Sequence, residues 1–262
     1  MVETTHIPTD GTVDPAEIER FSRIADEWWD PTGKFAPLHR LNPVRIGYIR
    51  DRVAAHWQRD ALNGEPLKGL SLLDIGCGGG LLSEPMTRLG ASVTGVDASA
   101  RNIATASVHA ARQDLAIDYR EGTAEALAES GAQFDVVLAL EIVEHVADVD
   151  LFLRSCGRLV KPGGLLFLST LNRTAKAWAL AIAGAEYVLG WLPRGTHDWK
   201  KFLKPSEVAR GLRAGGIEPQ EIVGVVYAPL SRKWSLNRND LDVNYMLYGV
   251  ADGASEPPIP SS

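Results

Sequence analysis

Apolar positions along the chain fall into two patterns that predict buried strands separated by amphipathic helices. Short, almost wholly apolar runs favour strands at 70–75, 92–97, 116–120, 134–140, 165–169, 221–227 and 243–250. Apolar residues at helical spacing favour helices at 14–29, 99–113, 148–160 and 205–214. Strands that alternate with helices imply a parallel sheet wound right-handedly, with helices on both faces. The last two strands, joined by a polar segment, would end the sheet as an antiparallel pair.

The chain shows neither an internal repeat nor an inter-domain linker. We expect a disordered tail over 1–13, a helical cap over 14–60, a ligand-binding domain over 61–250 with an apolar lid inserted at 172–204, and a disordered tail over 251–262. Within the cap, Asp14 would begin one helix, and Asn42 would cap a second with Pro43 at its first position. The adjacent Trp28 and Trp29 cannot both face one core, so either one of them covers a ligand or both serve ordinary packing.

The segment LLDIGCGGG, residues 72–80, joins the first strand to a helix through a run of glycines. Glycine permits positive φ and lets a ligand approach the backbone without a Cβ in the way. Such a turn at the carboxyl end of a parallel strand is where open α/β sheets bind nucleotides. Gly76 and Gly78 are therefore candidate ligand contacts, together with Asp74 two residues before the first glycine. The alternative is a plain tight corner.

The dinucleotide fingerprint G-x-G-x-x-G/A fails here, because its last position, counted from Gly76, is Leu81. Asp97 ends the second strand, where a carboxylate can accept hydrogen bonds from both hydroxyls of a ribose. These residues favour a nucleoside that carries something other than a diphosphate. The sequence here resembles the class I S-adenosylmethionine-dependent methyltransferases, whose first two motifs are similar to DIGCGGG and VTGVD. The resemblance implies a mostly parallel, Rossmann-like, seven-stranded sheet with an antiparallel C-terminal strand. It also implies that Gly76 lies against the methionine part of S-adenosyl-L-methionine and that Asp97 binds its ribose.

Composition and charge narrow the class of protein. With 262 residues, of which 45% are hydrophobic and 23% charged, the chain suits one α/β domain of a globular protein. Its net charge of -6 argues against a generic nucleic-acid binder. Two cysteines, Cys77 and Cys156, give no disulfide framework and fit a reducing compartment. The N-terminus has neither the pattern of a secretory signal nor that of an Arg-rich transit peptide, so we expect a cytosolic protein.

The segment EIVEH, residues 141–145, follows a predicted strand directly and so lies at the same sheet edge as the glycine turn. If it turns helically, Glu141, Glu144 and His145 share one face. Two carboxylates and an imidazole would make a divalent-metal site, where oxygen ligands favour Mg²⁺ or Mn²⁺ and the imidazole admits Zn²⁺ or Fe²⁺. The alternative is a capping glutamate beside a structural histidine. Without a metal, His145 remains a candidate general base near neutral pH.

The insertion contains an apolar stretch, 175–192, that is interrupted by Lys176 and Glu186. It is too short and too broken by charge to span a bilayer. Apolar residues that include Trp178 and Ile182 recur at helical spacing, and lysines and arginines flank them within 173–204. That pattern suits a helix lying in the membrane interface beside anionic lipid. The alternative is an internal helix that covers the active site, and one helix can serve both purposes.

Longer segments of the chain carry a more specific resemblance. They are EWWDPTGKFAPLHRLNPVRIGYIRDR, LLDIGCGGGLLSEPM, LEIVEHV, LVKPGGLLFLSTLNR, GAEYVLGWLPRGTHDWKKFLKPSE and DVNYMLYG. Together they resemble the ubiquinone-biosynthesis O-methyltransferases over nearly the whole chain, and RGTHDWKKFLKP and DVNYM discriminate most. The resemblance implies methylation of a phenolic hydroxyl on a polyprenylated ring at two stages. The implied substrates are a 2-polyprenyl-6-hydroxyphenol and a 3-demethylubiquinol, and S-adenosyl-L-methionine is the implied methyl donor.

The same resemblance implies functional residues, position by position. They are cofactor contacts at Arg45, Gly76, Asp97 and Leu140 and a metal set of Glu141, Glu144 and His145. Taken from the residues alone, Arg45 is either a solvated helix charge, which is the favoured interpretation, or a partner for the carboxylate of an amino-acid ligand. A cation at the metal set would bind the two adjacent ring oxygens and lower the phenol pKa, which is ordinarily about 10, and without it His145 would take the proton.

The resemblance also sets expectations for location and partners. Mitochondrial members begin with a leader that this chain lacks, so we expect a bacterial protein peripheral to the cytoplasmic face of the inner membrane. Its expected partners are the polyprenylated substrate, anionic lipid and other enzymes of the ubiquinone pathway, without nucleic acid.

Other functions remain open at this point. One alternative is a methyltransferase that acts on another catechol-like molecule. Another is an RNA 2′-O-methyltransferase, which can also carry an E-x-x-E-H metal set. This chain, however, is acidic and lacks the alternating aromatic and basic residues of RNA-binding proteins. An oxidoreductase would need the fingerprint that Leu81 breaks. A non-catalytic protein that binds quinone precursors would not need Asp97 or the EIVEH segment.

Overall fold

A computed structural model describes residues 12–179, 199–228, 231 and 233–253. The strands in these residues, numbered in chain order, are β1 (Ser71–Ile75), β2 (Ser92–Asp97), β3 (Asp118–Glu121), β4 (Phe134–Leu140), β5 (Val160–Leu171), β6 (Ile217–Ala228), β7 (Lys233–Asn237) and β8 (Asn244–Ala251). They form one sheet in the order β3-β2-β1-β4-β5-β8-β6-β7. The pairs from β3 to β5 are parallel, whereas β8 runs antiparallel to β5 and to β6, and β7 runs antiparallel to β6.

Helices cover both faces of this sheet. Those in the described residues are α1 (Pro15–Arg23), α2 (Ala36–His56), α3 (Ser83–Arg88), α4 (Ala100–Arg112), α5 (Ala124–Glu129), α6 (Val149–Arg158), α7 (Ala175–Ala177) and α8 (Pro205–Ala214). One hydrophobic core lies between the sheet and residues of α5, α6 and α8, and a second lies between the sheet and residues of α2 and α3. The central strands β1 and β4 are buried along almost their whole length, which explains why their sequences are continuous apolar runs rather than alternating ones.

The five parallel strands, β1 to β5, end at the same edge of the sheet. β1 ends at Ile75, opposite Val96 of β2, and β2 ends at Asp97, opposite Glu121 of β3. β4 ends at Leu140, opposite Ser169 of β5. The residues that follow each strand therefore meet along this carboxyl edge, as the sequence predicted for the glycine turn and the EIVEH segment.

The mostly parallel, doubly covered sheet with an antiparallel end is confirmed, but some details of the prediction were wrong. The helix predicted over 14–29 ends at Arg23 as α1 and is followed by a 3-10 turn, Ala25–Glu27. The sheet has an eighth strand among the described residues, because part of the polar segment before β8 folds back on β6 as β7. The second helix begins at Ala36 rather than at Pro43, which lies inside it. Asn42 is therefore not a cap: it is buried, and its Nδ2 donates to the carbonyl of Leu81 at 3.2 Å.

The ends of the predicted tails also belong to the described fold. Thr12 is 3% exposed, and its carbonyl accepts from the N–H of Ala147 at 2.7 Å. Ala251, the first residue of the predicted C-terminal tail, is the last residue of β8. Thr12 and Ala251, which fall within the predicted tails 1–13 and 251–262, therefore belong to the described fold.

The two ends of the insertion at 172–204 lie side by side. The N–H of Leu203 donates to the carbonyl of Leu171, and Trp199 Nε1 donates to the carbonyl of Thr174 at 3.1 Å. The middle of the insertion, including Ile182, lies outside the described residues. Across the described ranges, no helix is long and apolar enough to cross a membrane.

Candidate active site

The glycine turn after β1 is held to the next strand by its own backbone. The N–H groups of Gly76 and Cys77 donate to the carbonyl of Val96, at 2.7 and 3.1 Å. Gly76 and Gly78 have φ angles of 70° and 53°, in the left-handed region that favours glycine. The sequence LLDIGCGGG thus makes a tight turn that presents backbone at the carboxyl edge.

Trp28, from the N-terminal segment, packs directly on this turn. A Cβ at Gly78 would lie 2.4 Å from Trp28 Cζ2, and one at Gly79 would lie 2.4 Å from Trp28 Cβ. Trp28 also stacks on Phe35, with ring centroids 3.7 Å apart. Trp29 reaches the same turn by a different contact: its Nε1 donates to the carbonyl of Gly79 at 2.8 Å, and its ring packs against the cluster that contains Trp28. The glycines therefore admit the indole of the cap as well as exposing backbone.

Asp97, at the end of β2, is held by three donors. Its Oδ1 accepts from the N–H of Ser99 at 2.9 Å and from Asn102 Nδ2 at 3.1 Å, and its Oδ2 accepts from the N–H of Gly78 at 2.9 Å. Burial raises the pKa of Asp97, and these three hydrogen bonds act in the opposite direction. The carboxylate is thus fixed in orientation at the place where the sequence predicted a ribose contact.

Arg45 is a buried ion-pair partner, so its interpretation as a solvated helix charge was wrong. Its side chain is 3% exposed, and Nη2 lies 2.5 Å from Glu141 Oε1. Ser169 Oγ donates to the same Glu141 oxygen at 2.7 Å. Arg45 Nε is buried and has no hydrogen-bond partner within the described part of the chain. An unpaired guanidinium N–H of this kind is suited to an additional anionic acceptor.

Glu144 and His145 lie in a short 3-10 turn, Val143–His145, after β4. Glu144 is 3% exposed, and its Oε2 accepts from Thr170 Oγ1 at 2.8 Å. Burial, followed by the charge of Glu141, raises the pKa of Glu144 to about 7. His145 Nδ1 lies 3.2 Å from Glu17 Oε2, a residue of α1 that sequence reasoning missed. A buried acid and an imidazole paired with a carboxylate therefore stand next to each other.

The three side chains of the predicted metal set do not form a metal site in this arrangement. Glu141 has a φ of 52°, so the EIVEH segment does not turn helically from its first residue and the predicted shared face is not formed. Arg45 and Ser169 contact one oxygen of Glu141, and Glu17 contacts Nδ1 of His145. Across the described ranges, no group of three His, Cys, Asp or Glu side chains could hold a metal ion. The divalent cation is thus without support from the structure.

One cleft of about 820 Å³, including its open mouth, runs along the carboxyl edge. Of the residues singled out from the sequence, Gly76, Asp97, Glu141 and His145 line it, and Trp28 closes one side. The remaining predicted residues in the described chain are not among the residues that line this cleft: Asp74, Gly78, Arg45, Leu140 and Glu144. Their assignment to a ligand stays a prediction.

Asp74 is a buried supporting group. It is 3% exposed, and its carboxylate accepts from Ser83 Oγ, on α3, at 2.6 Å. Burial raises its pKa to about 6, helped by the charge of Asp97 and opposed by the Ser83 hydrogen bond. Asp74 therefore connects the strand before the glycine turn to the helix after it.

The N-terminal segment forms much of the cleft wall. Residues 12–14 and three residues of α1 line the cleft. Thr12 Oγ1 donates to Glu125 Oε1 at 2.7 Å, and Ser22 Oγ lies 2.6 Å from Ser99 Oγ. Glu125 and Asn102 lie in the first turns of the helices after β3 and β2, so the rule that found Asp97 could also have found them. Thr12 and Glu17 have no comparable signal in the sequence.

Comparison with known proteins identifies similar methyltransferases. The family model described as a methyltransferase domain matches residues 73–168. A ubiquinone biosynthesis O-methyltransferase of Parvibaculum lavamentivorans is 61% identical over 235 residues, which cover 90% of this chain and 92% of that protein. A protein of the same name from Chelativorans sp. is 58% identical over 236 residues, covering 90% of this chain and 93% of the relative.

Solved structures share the fold at low identity. Magnesium protoporphyrin IX methyltransferase from Synechocystis PCC 6803 with bound SAH aligns with a TM-score of 0.59 and 21% identity, covering 91% of this chain and 95% of that one. A possible histamine N-methyltransferase from Thermotoga maritima aligns with a TM-score of 0.59 and 20% identity, covering 89% and 99%. These likenesses concern the fold alone.

Proposed function

Because the chain belongs to the ubiquinone biosynthesis O-methyltransferase family, we propose that it methylates phenolic hydroxyls of polyprenylated rings in that pathway. Its fold is that of the class I S-adenosylmethionine-dependent methyltransferases, as DIGCGGG and VTGVD indicated. The methyl donor is S-adenosylmethionine, and the two substrates are a 2-polyprenyl-6-hydroxyphenol and a 3-demethylubiquinol. The observation that carries the proposal is the cleft at the carboxyl edge, which Asp97 and His145 line together.

The residues present fit S-adenosylmethionine. Asp97 offers a fixed, buried carboxylate for the ribose, and glycine backbone at Gly76 lies beside it in the cleft. Arg45, whose buried Nε has no partner among the described residues, suits the carboxylate of the methionine part. When bound, S-adenosylmethionine supplies a methyl group on a sulfonium, which is a strong electrophile. The protein therefore mainly has to place an oxygen nucleophile in line, at about 3–3.5 Å.

His145 takes the phenolic proton in this proposal. A phenol has an ordinary pKa of about 10, so little phenolate is present at neutral pH. Glu17 Oε2, 3.2 Å from Nδ1, orients the imidazole of His145. Glu141, whose carboxylate is held by Arg45 and Ser169, also lines the cleft. The assignment of the base draws on this placement and on the general aptness of imidazole for proton transfer at neutral pH.

A methyl-transfer assay tests the proton-transfer step. The substrates are labelled S-adenosylmethionine and a catechol with a short prenyl tail. We expect His145→Ala to lower kcat by about 10² to 10⁴, the usual contribution of a general base. Asp118→Asn is the matched control, since Asp118 is exposed and paired with Arg120 on β3, away from the cleft. Near-normal turnover of His145→Ala would show that another group accepts the proton.

The divalent cation remains a prediction from the family resemblance. Binding at Glu141, Glu144 and His145 would require the contacts of Glu141 with Arg45 and of His145 with Glu17 to rearrange. Elemental analysis of the purified protein, with and without S-adenosylhomocysteine, tests it. A stoichiometric metal that Glu144→Gln abolishes would establish the site. If no metal is found and activity is unchanged after exhaustive chelation, the predicted metal site is wrong.

Calorimetry separates the proposal from its rivals. We expect S-adenosylhomocysteine to bind and a nicotinamide dinucleotide not to bind, because Leu81 breaks the diphosphate fingerprint. Methylation of the prenylated catechol, but not of an RNA 2′-hydroxyl, would exclude an RNA methyltransferase. Binding of the donor without transfer to any phenol would favour the non-catalytic accessory protein.

We also propose that the insertion at 173–204 contacts anionic lipid. The support comes from its described ends, where Trp178 is 51% exposed and Trp199 is 38% exposed. Lys200 and Lys201 follow Trp199 directly, and basic residues beside exposed aromatic ones suit a membrane interface. A polyprenyl tail costs roughly 0.8 kcal/mol per CH₂ to expose to water, so a substrate of this kind stays in the bilayer.

Flotation with vesicles of phosphatidylcholine and phosphatidylglycerol tests the lipid contact. We expect Trp178→Glu to weaken binding, whereas Leu62→Glu serves as control because Leu62 is 83% exposed but lies between α2 and β1. Binding should also weaken with added salt. Equal vesicle binding by the wild type and by Trp178→Glu would count against the interface.

A further inference from the structure

We infer that Asn102 is a positioning residue for the ribose carboxylate and that Trp28 of the N-terminal cap sets its orientation. The inference rests on the proposed function, since it takes Asp97 as the partner of the cofactor ribose. Asn102 lies in the first turn of α4, is 2% exposed and borders the cleft. A buried amide at this place must have its hydrogen bonds satisfied, and the partners it uses are informative.

The amide of Asn102 bridges the cap and the sheet edge. Its Oδ1 accepts from Trp28 Nε1 at 3.0 Å, and its Nδ2 donates to Asp97 Oδ1 at 3.1 Å. Its backbone N–H is held separately, by the capping Ser99 Oγ at 3.3 Å. The side chain is therefore occupied by the bridge rather than by the helix cap.

The two partners leave the amide with one orientation. An indole N–H is a donor only, and an ionised carboxylate is an acceptor only. A flipped amide would place its NH₂ against the indole N–H and its oxygen against the carboxylate, so both contacts would become repulsive. Because Trp28 is fixed by stacking on Phe35 and by its close approach to Gly78, it dictates which end of Asn102 faces Asp97.

This orientation in turn fixes the carboxylate. An ionised carboxylate offers about four lone-pair positions. Oδ1 of Asp97 accepts from two donors, Ser99 and Asn102, whereas Oδ2 accepts from Gly78 among the described residues. Oδ2 is therefore the oxygen with acceptor capacity left for a ribose hydroxyl. Without Asn102, two backbone donors would remain and the carboxylate would be less firmly held.

The consequence is that ribose recognition depends on a docked N-terminal cap. Trp28 and Asn102 are 74 positions apart in the chain, so their bond forms only when the cap lies on α4 and the glycine turn. Asn102 also donates to a carboxylate whose pKa is raised by burial, and its hydrogen bond helps to keep Asp97 ionised. The cap thus contributes to cofactor affinity through a hydrogen-bond relay as well as by covering the cleft.

Calorimetry with the full-length protein and two ligands tests the relay. One ligand is S-adenosylhomocysteine, and the other is its analogue lacking both ribose hydroxyls. Asn102→Leu keeps the side-chain volume and removes both hydrogen bonds, and Trp28→Phe keeps an aromatic ring and removes the N–H. We expect each variant to raise the Kd of S-adenosylhomocysteine by about threefold to tenfold, the range of one net hydrogen bond, and to leave the Kd of the analogue unchanged. The KM for S-adenosylmethionine should rise in the same variants, whereas kcat should stay within about twofold of the wild-type value.

The double variant and a neighbouring tryptophan supply the control. Because both changes break one relay, Trp28→Phe with Asn102→Leu should bind no more weakly than the weaker single variant. Trp29→Phe removes a different bond, from Nε1 to the carbonyl of Gly79, so its effect should add to that of Asn102→Leu. Equal losses for both ligands, or additive losses from Trp28 and Asn102, would overturn the relay and leave Asn102 a structural residue.

A separate variant distinguishes failure of this inference from failure of the proposed function. If Asp97→Ala binds S-adenosylhomocysteine as the wild type does, the ribose site itself is wrong and the relay falls with it. If Asp97→Ala loses binding while Asn102→Leu does not, the proposed function stands and the relay is overturned. Should Asn102→Leu fail to fold, as thermal unfolding without ligand would reveal, Trp28→Phe carries the comparison of the two ligands.

Discussion

The buried carboxylate before the glycine turn gives a prediction with an unusual sign. Asp74 is 3% exposed, and burial, opposed by the hydrogen bond from Ser83 and helped by the charge of Asp97, raises its pKa to about 6. Replacement by asparagine keeps the shape and an oxygen that can accept from Ser83 Oγ, which lies 2.6 Å from the carboxylate. We therefore expect Asp74→Asn to stabilise the protein at neutral and alkaline pH.

The size of the effect follows from linkage. The ordinary pKa of 3.8 applies in the unfolded chain and a value of about 6 in the folded one, so the unfolded chain loses its proton first as pH rises. The contribution of the Asp74 carboxyl group to the free energy of unfolding is fully present below pH 3.8. It declines as pH rises to about 6, by about 3 kcal/mol in all. The asparagine side chain of the Asp74→Asn variant does not titrate, so the gain from the substitution should be small near pH 4, grow up to about pH 6 and stay level above it.

Urea unfolding at a series of pH values between about 4 and 8 measures this difference. Asp135→Asn is the matched control with the opposite sign. Burial raises the pKa of Asp135, but hydrogen bonds from Ser71 and Lys161 outweigh it and the pKa is lowered. Its contribution is present above the ordinary value of 3.8 and is lost as pH falls below it, so Asp135→Asn should destabilise most at neutral pH.

Two outcomes would refute the reasoning for Asp74. A difference between Asp74→Asn and the wild type that does not change with pH would mean that the carboxyl group has an ordinary pKa in the folded state. A loss of stability at alkaline pH would mean that the ionised form is needed by the fold, through contacts stronger than the hydrogen bond from Ser83.

Two further substitutions test packing at the site. Gly78→Ala should lower the free energy of unfolding in urea by about 1–3 kcal/mol more than Gly131→Ala does, because the new Cβ would lie 2.4 Å from Trp28. Gly131 is the control, since it also has a positive φ but no described atom lies within 4 Å of its added Cβ. Equal costs would show that the indole moves aside without penalty. Tyr245→Phe should cost about 1 kcal/mol in the same assay, since it loses the hydrogen bond from the hydroxyl to the carbonyl of Leu203, 3.0 Å away, and keeps the buried ring.

The elements that the sequence predicted well are those whose signal is local. β4 and α8 have the predicted bounds, since a continuous apolar run and a Pro-to-Gly-bounded amphipathic stretch each mark their own ends. The start of α2 was missed because Pro43 has the pattern of a first-turn residue, whereas the buried contacts of the helix extend it back to Ala36. β7 was missed because its polar sequence becomes a strand only by pairing with β6.

The candidate site divides in the same way. Gly76 and Asp97 could be found because a parallel sheet brings the ends of its strands to one edge. The ion pair of Arg45 with Glu141 could not, because it joins residues 96 positions apart and an arginine among the other charged residues of a helix has the pattern of a solvated charge. The metal prediction required a regular helical turn from Glu141, and the positive φ of that residue is set by its place at the end of β4 rather than by its own sequence.

The long-range contacts at the cleft share one physical feature, which changes how the N-terminal segment should be understood. Thr12 with Glu125, Trp28 with Asn102 and Arg45 with Glu141 each join residues before β1 to the first turn after a parallel strand. Each such bond contributes on the order of 1 kcal/mol. Residues 12–35 contribute their buried apolar side chains to a small separate cluster, whereas α2, which carries Arg45, packs into the second main core. The part of the segment before α2 is therefore held by a few polar contacts and that small cluster. A segment that lines a ligand site is stabilised by the ligand when the ligand binds more tightly with the segment docked than with it undocked. The size of the effect is set by the difference between these two affinities. If the cleft binds the cofactor as proposed, substitutions at 12–35 should therefore lower cofactor affinity before they lower global stability.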